Sequence, residues 1–255
     1  MPYEPGSEPY YRQTAAPGIS EDQHCFRSMV AHLDAKVGAL LAKLDELGIR
    51  DNTLIVFTSD NGGAYEADNG PLKAGKTDLH EGGIRVPMIA SWPKMIPAGQ
   101  TSGAVTGTID LLPTFCAAAR VDVPDAARVD GCNLLPLLRD GEDLTSFRRS
   151  LLFQLDLYPK MQRHTPKPEP YATEAAIRGQ WKLLSHDSTP LEIFDLRADP
   201  GETRNLLAQN PDALERLSED TRAFLQSARD RSGFLSERRE APAGRPAAKT
   251  QSQSP

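Results

Sequence analysis

Apolar residues between positions 20 and 47 recur every three or four residues, which is the period of one face of an α-helix. The segment opens with the letters SEDQ, where Ser20 and Gln23 have the spacing of a capping box. Gly48 is a residue type that commonly follows the end of a helix. We therefore predict one long helix that packs an apolar stripe on a core. The stripe consists of Phe26, Met29, Val30, Leu33, Val37, Leu40, Leu41, Leu44 and Leu47.

The next apolar run, TLIVFTS at residues 53–59, has few polar positions and predicts a buried strand. Strands of this kind are usually covered on both faces, as in a parallel sheet. Residues 86–91 predict a second short strand, and a further helix begins near Ile109 with Pro113 in or near its first turn. A helix followed by a turn and a buried strand is half of an α/β unit.

Beyond about residue 145 the pattern changes to short apolar segments between turn residues, namely SLLFQLDL, YATEAAIR, WKLLSH and LEIFDL. They predict a small antiparallel sheet, and NPDALERLSEDTRAFLQSARD predicts an amphipathic helix after it. We expect an irregular lead-in at 1–19, an α/β part at 20–144, a small α+β subdomain at 145–235 and a disordered tail at 236–255.

Composition narrows the function classes. The 255 residues are 39% hydrophobic and 25% charged, as in an ordinary globular protein. A formal net charge of −6 argues against non-specific nucleic-acid binding. No apolar run approaches the roughly 18–20 residues of a membrane helix, and the first residues lack a signal-peptide pattern. Three cysteines do not form a disulfide framework, so they leave the compartment open.

The first candidate for chemistry is the DNGG sequence directly after the strand at 53–59. Sites in open α/β sheets form at the carboxyl ends of strands. Asp60 and Asn61 offer hard oxygen ligands there, which suit Ca²⁺ or Mg²⁺. The alternative interpretation is a turn in which these side chains bond their own backbone.

The second candidate is the glycine-rich segment GKTDLHEGGIRVP that leads into the next strand. Lys76 in this segment is a compact positive charge that could bind an anionic oxygen. The alternative is an ordinary solvated lysine. His80, Glu81 and Arg85 lie in the same loop.

Together these two motifs, TLIVFTSDNGG and PLKAGKTDLHEGGIRVPMIASWP, resemble the sulfatase family of the alkaline-phosphatase-like superfamily. The segments IDLLPTFCAAARVDVP, AIRGQWKLL and LEIFDLRADPGETRNLLAQNP resemble later parts of that family in the same order. The resemblance covers roughly residues 24–210. It implies the C-terminal part of a sulfatase-type mixed or parallel α/β sheet with flanking helices, a small antiparallel sheet and a C-terminal helix.

The resemblance also implies roles for individual residues. Asp60 and Asn61 correspond to ligands of a divalent cation, usually Ca²⁺ and alternatively Mg²⁺. Lys76 corresponds to the lysine that contacts the sulfate ester. Glu81 and Arg85 mainly shape the loop, and His80 occupies a place that is often aromatic, which makes it a further candidate for substrate contact.

The family's nucleophile is a formylglycine made from cysteine in a Cys-x-Pro/Ala-x-Arg motif, and an Asp-Asp pair supplies further cation ligands. The chain contains no Asp-Asp pair. The letters CAAAR at 116–120 fit the cysteine motif, but they lie within the predicted helix near Ile109, where a packed structural cysteine is expected. We therefore expect the nucleophile half to be absent and this chain alone to be inactive.

Three functions follow from these observations. The first is part of a sulfate-ester hydrolase that acts on carbohydrate or aryl sulfates, with the missing N-terminal half as a partner. The second is an inactive remnant that retains an anion-binding loop. The third is a phosphodiesterase or phosphonate hydrolase of the same superfamily. The proline-rich segment 158–172 is either a substrate-facing loop or a linker. The resemblance implies an exported protein without fixing its compartment.

Overall fold

The computed structural model describes residues 10, 17–64, 66–124, 129–141, 149–155, 170–209 and 211–240. This part forms a mixed α/β fold with two antiparallel sheets, which confirms the fold class. Within it, no helix has the length and apolar character needed to cross a membrane. The helices are α1 (Glu21–Glu46), α2 (Glu81–Ile84), α3 (Leu111–Ala119), α4 (Leu135–Asp140) and α5 (Pro211–Glu240). The strands are β1 (Ile55–Thr58), β2 (Met88–Ser91), β3 (Leu151–Gln154), β4 (Glu174–Arg178), β5 (Trp181–His186) and β6 (Thr189–Asp195).

Helix α1 begins as its capping box predicts. The backbone N–H of Gln23 donates to Ser20 Oγ over 3.1 Å, and the N–H of Ser20 donates to Gln23 Oε1 over 3.2 Å. The predicted apolar stripe is present but is not covered by the described part of the chain. About half of the surface of each of Val30, Leu33, Leu40 and Leu47 remains exposed. One face of α1 is therefore an apolar surface.

The predicted strand at 53–59 forms as β1, but its neighbour differs from the expectation. Strand β1 pairs antiparallel with β2, so the parallel pairing that its apolar run suggested does not occur between the described strands. An apolar run is typical of strands that are covered on both faces, but it is compatible with either direction of the neighbouring strand. Phe57 and Ile89 lie directly opposite each other and are 38% and 61% exposed. This two-stranded sheet is thus a second exposed apolar surface.

The C-terminal subdomain holds the best-covered core. Strands β3–β6 form an antiparallel meander in sequence order. Alternate residues of these strands point to opposite faces, and each face has its own cluster. One cluster packs against Leu79 from the loop before β2, and the other packs against Leu217 of α5. The sheet therefore ties the Lys76 loop to α5.

A buried carboxylate joins α3 to the segment that follows it. Asp110 is fully buried, and its side chain accepts the backbone N–H groups of Gly107 and Cys132 over 2.9 and 2.8 Å. Arg149 Nη2 lies 2.5 Å from Asp110 Oδ2. Cys116 lies within α3 and is partly buried. The segment IDLLPTFCAAA thus contains a helix that begins near Ile109, as predicted.

Helix α5 continues to Glu240, five residues past the predicted end of the subdomain at 235. Polar composition alone predicted a tail from 236, because it does not distinguish a solvated helix from a coil. Most of the 158–172 segment lies outside the described residues, as does most of the lead-in at 1–19.

Candidate anion and cation site

The DNGG corner follows β1 directly. Asp60 is exposed and Asn61 is partly exposed, so the oxygens of both residues are accessible. Ser59 Oγ donates to the backbone carbonyl of Asn61 over 2.8 Å. The turn is thus held through a serine side chain, and no hydrogen bond within the described part occupies the carboxylate of Asp60 or the carboxamide of Asn61.

Close backbone contacts join this corner to the Lys76 loop. The N–H of Gly62 donates to Gly83 O over 2.8 Å, and the N–H of Lys76 donates to Gly63 O over 3.0 Å. A Cβ on Gly62 would lie 1.8 Å from the carbonyl oxygen of Gly82, so glycine is required there by space. The structure therefore brings together the two motifs that the sequence singled out.

Lys76 is held by a strained backbone. Ala74 and Thr77, on either side of it, have φ angles of +63° and +72°. Positive φ is a genuine outlier for a β-branched residue such as threonine, and strain of this kind is frequent at functional sites. Lys76 itself is exposed, and its ammonium has no ion pair among the described residues. The loop thus presents a positive charge beside the DNGG corner.

His80 faces the C-terminal sheet. Its Nδ1 lies 2.6 Å from Asp78 Oδ1 and its Nε2 lies 2.9 Å from Glu192 Oε2, while only 14% of the side chain is exposed. Lys73 Nζ lies 3.4 Å from the other oxygen of Glu192. Because both ring nitrogens already have carboxylate partners, this arrangement offers neither of them to a substrate. His80 thus makes a structural contact in this arrangement, and substrate contact at this residue stays a prediction.

These contacts favour the charged imidazolium. Burial lowers the pKa of His80, but the hydrogen bonds to Asp78 and Glu192 together outweigh it, so the pKa is raised above its usual value. The hydrogen bond from His80 in turn lowers the pKa of Glu192, against the opposing effect of burial. A doubly protonated ring can donate to both carboxylates at once.

We expect the stability contributed by His80 to depend on pH. A raised pKa in the folded state means that this contribution is complete below the unfolded pKa of about 6.5 and is lost as pH rises through the folded pKa. The difference in unfolding free energy between wild type and His80→Gln, measured by urea titrations at a series of pH values, should therefore be constant at acidic pH and shrink as the pH rises above about 6.5. When the same comparison is made in a Glu192→Gln background, the contribution of His80 should be lost at lower pH, because the ring has one carboxylate partner fewer. A difference that stays constant with pH would contradict the charged state.

A second contact between loop and sheet is fully buried. Lys182 Nζ on β5 lies 2.9 Å from Glu81 Oε1 and 2.8 Å from Glu202 Oε1. The backbone N–H of Glu81 also donates to Glu202 Oε2 over 2.6 Å. We call Glu81, Lys182 and Glu202 the buried triad. Arg85 lies 3.6 Å from Glu81 at the surface, consistent with a structural role for both residues.

Sequence reasoning did not identify Lys182, Glu192 or Glu202. Lys182 lies within the apolar strand WKLLSH, and a lysine flanked by core residues has to be paired when the strand is covered on both faces. That signal indicates a buried ion pair, although it does not name the partners. Glu202 lies in a polar turn, where a buried carboxylate has no sequence signature.

Metal ligation is the least complete part of the site. Asp60 and Asn61 provide hard oxygens of the type that Ca²⁺ prefers, but two residues supply only two or three of the roughly six to eight ligands. Among the described residues no group of three or more His, Cys, Asp or Glu side chains is arranged to hold a metal. Asp60 and Asn61 are therefore suitable ligand types for one side of a cation site, but they are too few to complete its coordination shell.

Two family models match the chain. The model described as Sulfatase matches residues 2–121, and the model described as N-sulphoglucosamine sulphohydrolase, C-terminal, matches residues 75–229. The steryl-sulfatase of Mus musculus is 31% identical over an alignment of 237 residues, and the match covers 79% of this chain and 38% of that protein.

Solved structures agree with these matches. The crystal structure of Ps i-CgsB in complex with k-i-k-neocarrahexaose has a TM-score of 0.72 and 31% identity, covering 82% of this chain and 44% of that one. The phosphonate monoester hydrolase of Agrobacterium radiobacter has a TM-score of 0.56 and 28% identity, covering 85% and 44%. The chain spans less than half the length of each of these relatives.

Proposed function

The chain belongs to the sulfatase family, and from this premise we propose that it forms the part of a sulfate-ester hydrolase that holds the sulfate group between Lys76 and the Asp60–Asn61 corner. The observation that carries the proposal is the backbone contact between Lys76 and Gly63, two residues after Asn61. This contact joins the backbone of the lysine loop to the DNGG corner, which supports a site in which the Lys76 ammonium and the oxygens of Asp60 and Asn61 act on the same anion. A sulfate ester needs both features, because its oxygens are anionic.

Each residue has a defined task in this proposal. The Lys76 ammonium donates to a sulfate oxygen and neutralises negative charge that develops in the transition state. Asp60 and Asn61 bind one side of a divalent cation, Ca²⁺ or alternatively Mg²⁺. A cation held there would polarise the sulfate as a Lewis acid. The strained loop keeps Lys76 in place before substrate arrives, so less ordering is needed on binding.

Hydrolysis requires groups that we assign to residues outside the 255. The remaining cation ligands and the formylglycine nucleophile belong to the portion of the relatives that this chain does not span. The exposed apolar surfaces of α1 and of the β1–β2 pair are suited to pack against that portion. We accordingly expect no aryl-sulfate turnover from the 255-residue chain by itself.

The substrate class is a sulfated carbohydrate or a small aryl sulfate. Among the relatives, one is named for steryl sulfate and one is complexed with a neocarrahexaose. The phosphonate hydrolase alternative shares the fold at lower similarity. The match to two sulfatase family models and the Gly-Lys loop favour the sulfate ester.

Methyl sulfate titration of the 255-residue protein, followed by NMR, tests the proposal. Methyl sulfate is an intact monoester and does not precipitate calcium. Losing a hydrogen bond to a charged group costs about 1.5–3 kcal/mol, so Lys76→Met should weaken binding roughly tenfold to hundredfold.

Lys94→Met is the matched control. Lys94 is an exposed lysine whose backbone N–H bonds Asp51 O, at the opposite end of the β1–β2 pair from Asp60. The variant removes the same charge and should leave affinity unchanged. Equal losses in both variants would show only a general charge effect. Tighter binding of methyl phosphonate than of methyl sulfate would favour the phosphonate alternative.

A further inference from the structure

The carboxamide of Asn69 lies between the two halves of the site. Its Oδ1 accepts the N–H of Gly63 over 2.9 Å, and its Nδ2 donates to Gly63 O over 3.3 Å and to Ala74 O over 2.9 Å. Gly63 is two residues after Asn61, and Ala74 is two residues before Lys76. One side chain thus bonds the cation corner and the lysine loop at the same time.

These three hydrogen bonds use both N–H groups and the oxygen of the amide, and no other residue type could form all three at this position. Both amide hydrogens point at carbonyl oxygens, while the amide oxygen receives an N–H. Aspartate has no hydrogen to donate, and the glutamine side chain is longer by one methylene. The partners also fix which end of the amide is nitrogen, since two carbonyls need donors.

The surrounding backbone is built around this side chain. A Cβ on Gly63 would lie 2.5 Å from Asn69 Oδ1, and a Cβ on Gly75 would lie 3.0 Å from Asn69 Nδ2. Ala74, which accepts one of the bonds, is one of the two strained residues beside Lys76. The N–H of Lys76 donates to the same Gly63 carbonyl. The strained conformation therefore rests on Asn69 and on the glycines that admit it.

We propose that Asn69 is a positioning residue that sets the distance between the Lys76 ammonium and the Asp60–Asn61 ligands. The assignment rests on the proposed function of that site. Asn69 does not itself touch the sulfate. It acts by fixing Gly63 and Ala74, and through them the two segments that carry the binding groups.

Two variants and one control distinguish this positioning role from a role that is limited to stabilising the local turn. Asn69→Ala removes all three bonds, and Asn69→Leu removes them while keeping the side-chain shape. Neither adds charge near an anion site. Asp68→Ala is the control, because the hydrogen bond of Asp68 in the same turn is to the N–H of Gly70, over 2.8 Å, and to neither half of the site.

We expect both Asn69 variants to weaken methyl sulfate binding by about fivefold or more, because the loop and the corner would no longer be held together. The Lys76 amide proton should also exchange faster with solvent. The midpoint of global urea unfolding should change little, since the sheet β3–β6 is untouched. Asp68→Ala should not weaken binding and should not speed exchange at Lys76.

The outcomes are distinct. Unchanged affinity or unchanged Lys76 exchange in both Asn69 variants would overturn the positioning role while the Lys76→Met result still supports the proposed function. Weakened affinity that merely follows a fall in global stability would also overturn it. If the wild-type protein fails to bind methyl sulfate, the proposed function fails, and the exchange data alone decide whether Asn69 holds the lysine loop.

Discussion

Replacing Lys182 by methionine is expected to lower the free energy of unfolding by about 3–5 kcal/mol, the range measured when one partner of a buried ion pair is removed. Lys182 and Glu202 are fully or almost fully buried, and Glu81 is 4% exposed. Methionine keeps the length of the side chain but removes the ammonium from between two buried carboxylates, while the exposed Arg85 remains 3.6 Å from Glu81. Urea unfolding followed by tryptophan fluorescence measures the change.

Restoring charge balance should recover much of that loss. In the triple variant Lys182→Met, Glu81→Gln and Glu202→Gln, neutral amides replace both carboxylates, and the amide introduced at position 202 still offers an oxygen to the backbone N–H at position 81. Replacing a whole buried ion cluster by neutral groups is often close to neutral in stability. Lys94→Met serves as the surface control. A loss below about 1 kcal/mol in the single variant would show that the triad is solvated and unimportant.

The buried triad also explains how a sheet far along the chain supports the site. Lys182 is 101 residues from Glu81, and Glu192 is 112 residues from His80. Both contacts hold the beginning of α2, shortly after Lys76 in the chain. Leu79 adds an apolar contact to the same sheet. The C-terminal subdomain is therefore a platform for the lysine loop.

Local sequence patterns predicted those parts whose causes are local. The cap of α1 depends on Ser20 and Gln23, three residues apart, and the DNGG corner follows its strand directly. Gly62 and Gly83 could be placed in glycine-rich loops, although their mutual contact could not. The expectation that Asp60 and Lys76 belong to one site came from motif resemblance rather than from periodicity.

Contacts between distant residues were beyond this kind of reasoning. The resemblance made His80 a candidate for substrate contact, but its contacts with Asp78 and Glu192 could not be recognised from spacing. The antiparallel pairing of β1 with β2 was missed because an apolar run is compatible with either direction. Lys182 was not identified from the sequence, and its partners lie far away along the chain, Glu81 at the start of α2 and Glu202 in a turn after β6.

The proposed function explains why apolar residues of α1 and of the β1–β2 pair are exposed. The stripe of α1 and the strand that holds Phe57 were expected to be buried, but in the described part of the chain four of the stripe's nine side chains, Phe57 and its partner Ile89 are exposed. Ordinary monomers rarely expose large contiguous apolar patches. Packing against the further portion that the relatives possess would cover these surfaces and would bring the remaining cation ligands to Asp60.

Calcium should strengthen methyl sulfate binding by about fivefold or more, within the usual range of coupling between two ligands. A cation held by Asp60 and Asn61 next to Lys76 would attract the same sulfate oxygens that the ammonium contacts. By linkage, methyl sulfate must strengthen calcium binding by the same factor. Because two residues provide few ligands, we expect calcium alone to bind weakly.

The decisive measurement is the methyl sulfate affinity of the 255-residue protein with and without Ca²⁺, for wild type, Asp60→Ala and Asp51→Ala. Asp51 is an exposed aspartate at the opposite end of the β1–β2 pair, where its carbonyl accepts the N–H of Lys94. We predict a gain in affinity with Ca²⁺ that persists in Asp51→Ala and disappears in Asp60→Ala. Affinity that does not respond to Ca²⁺, or a full gain retained in Asp60→Ala, would contradict a single site formed by the DNGG corner and Lys76.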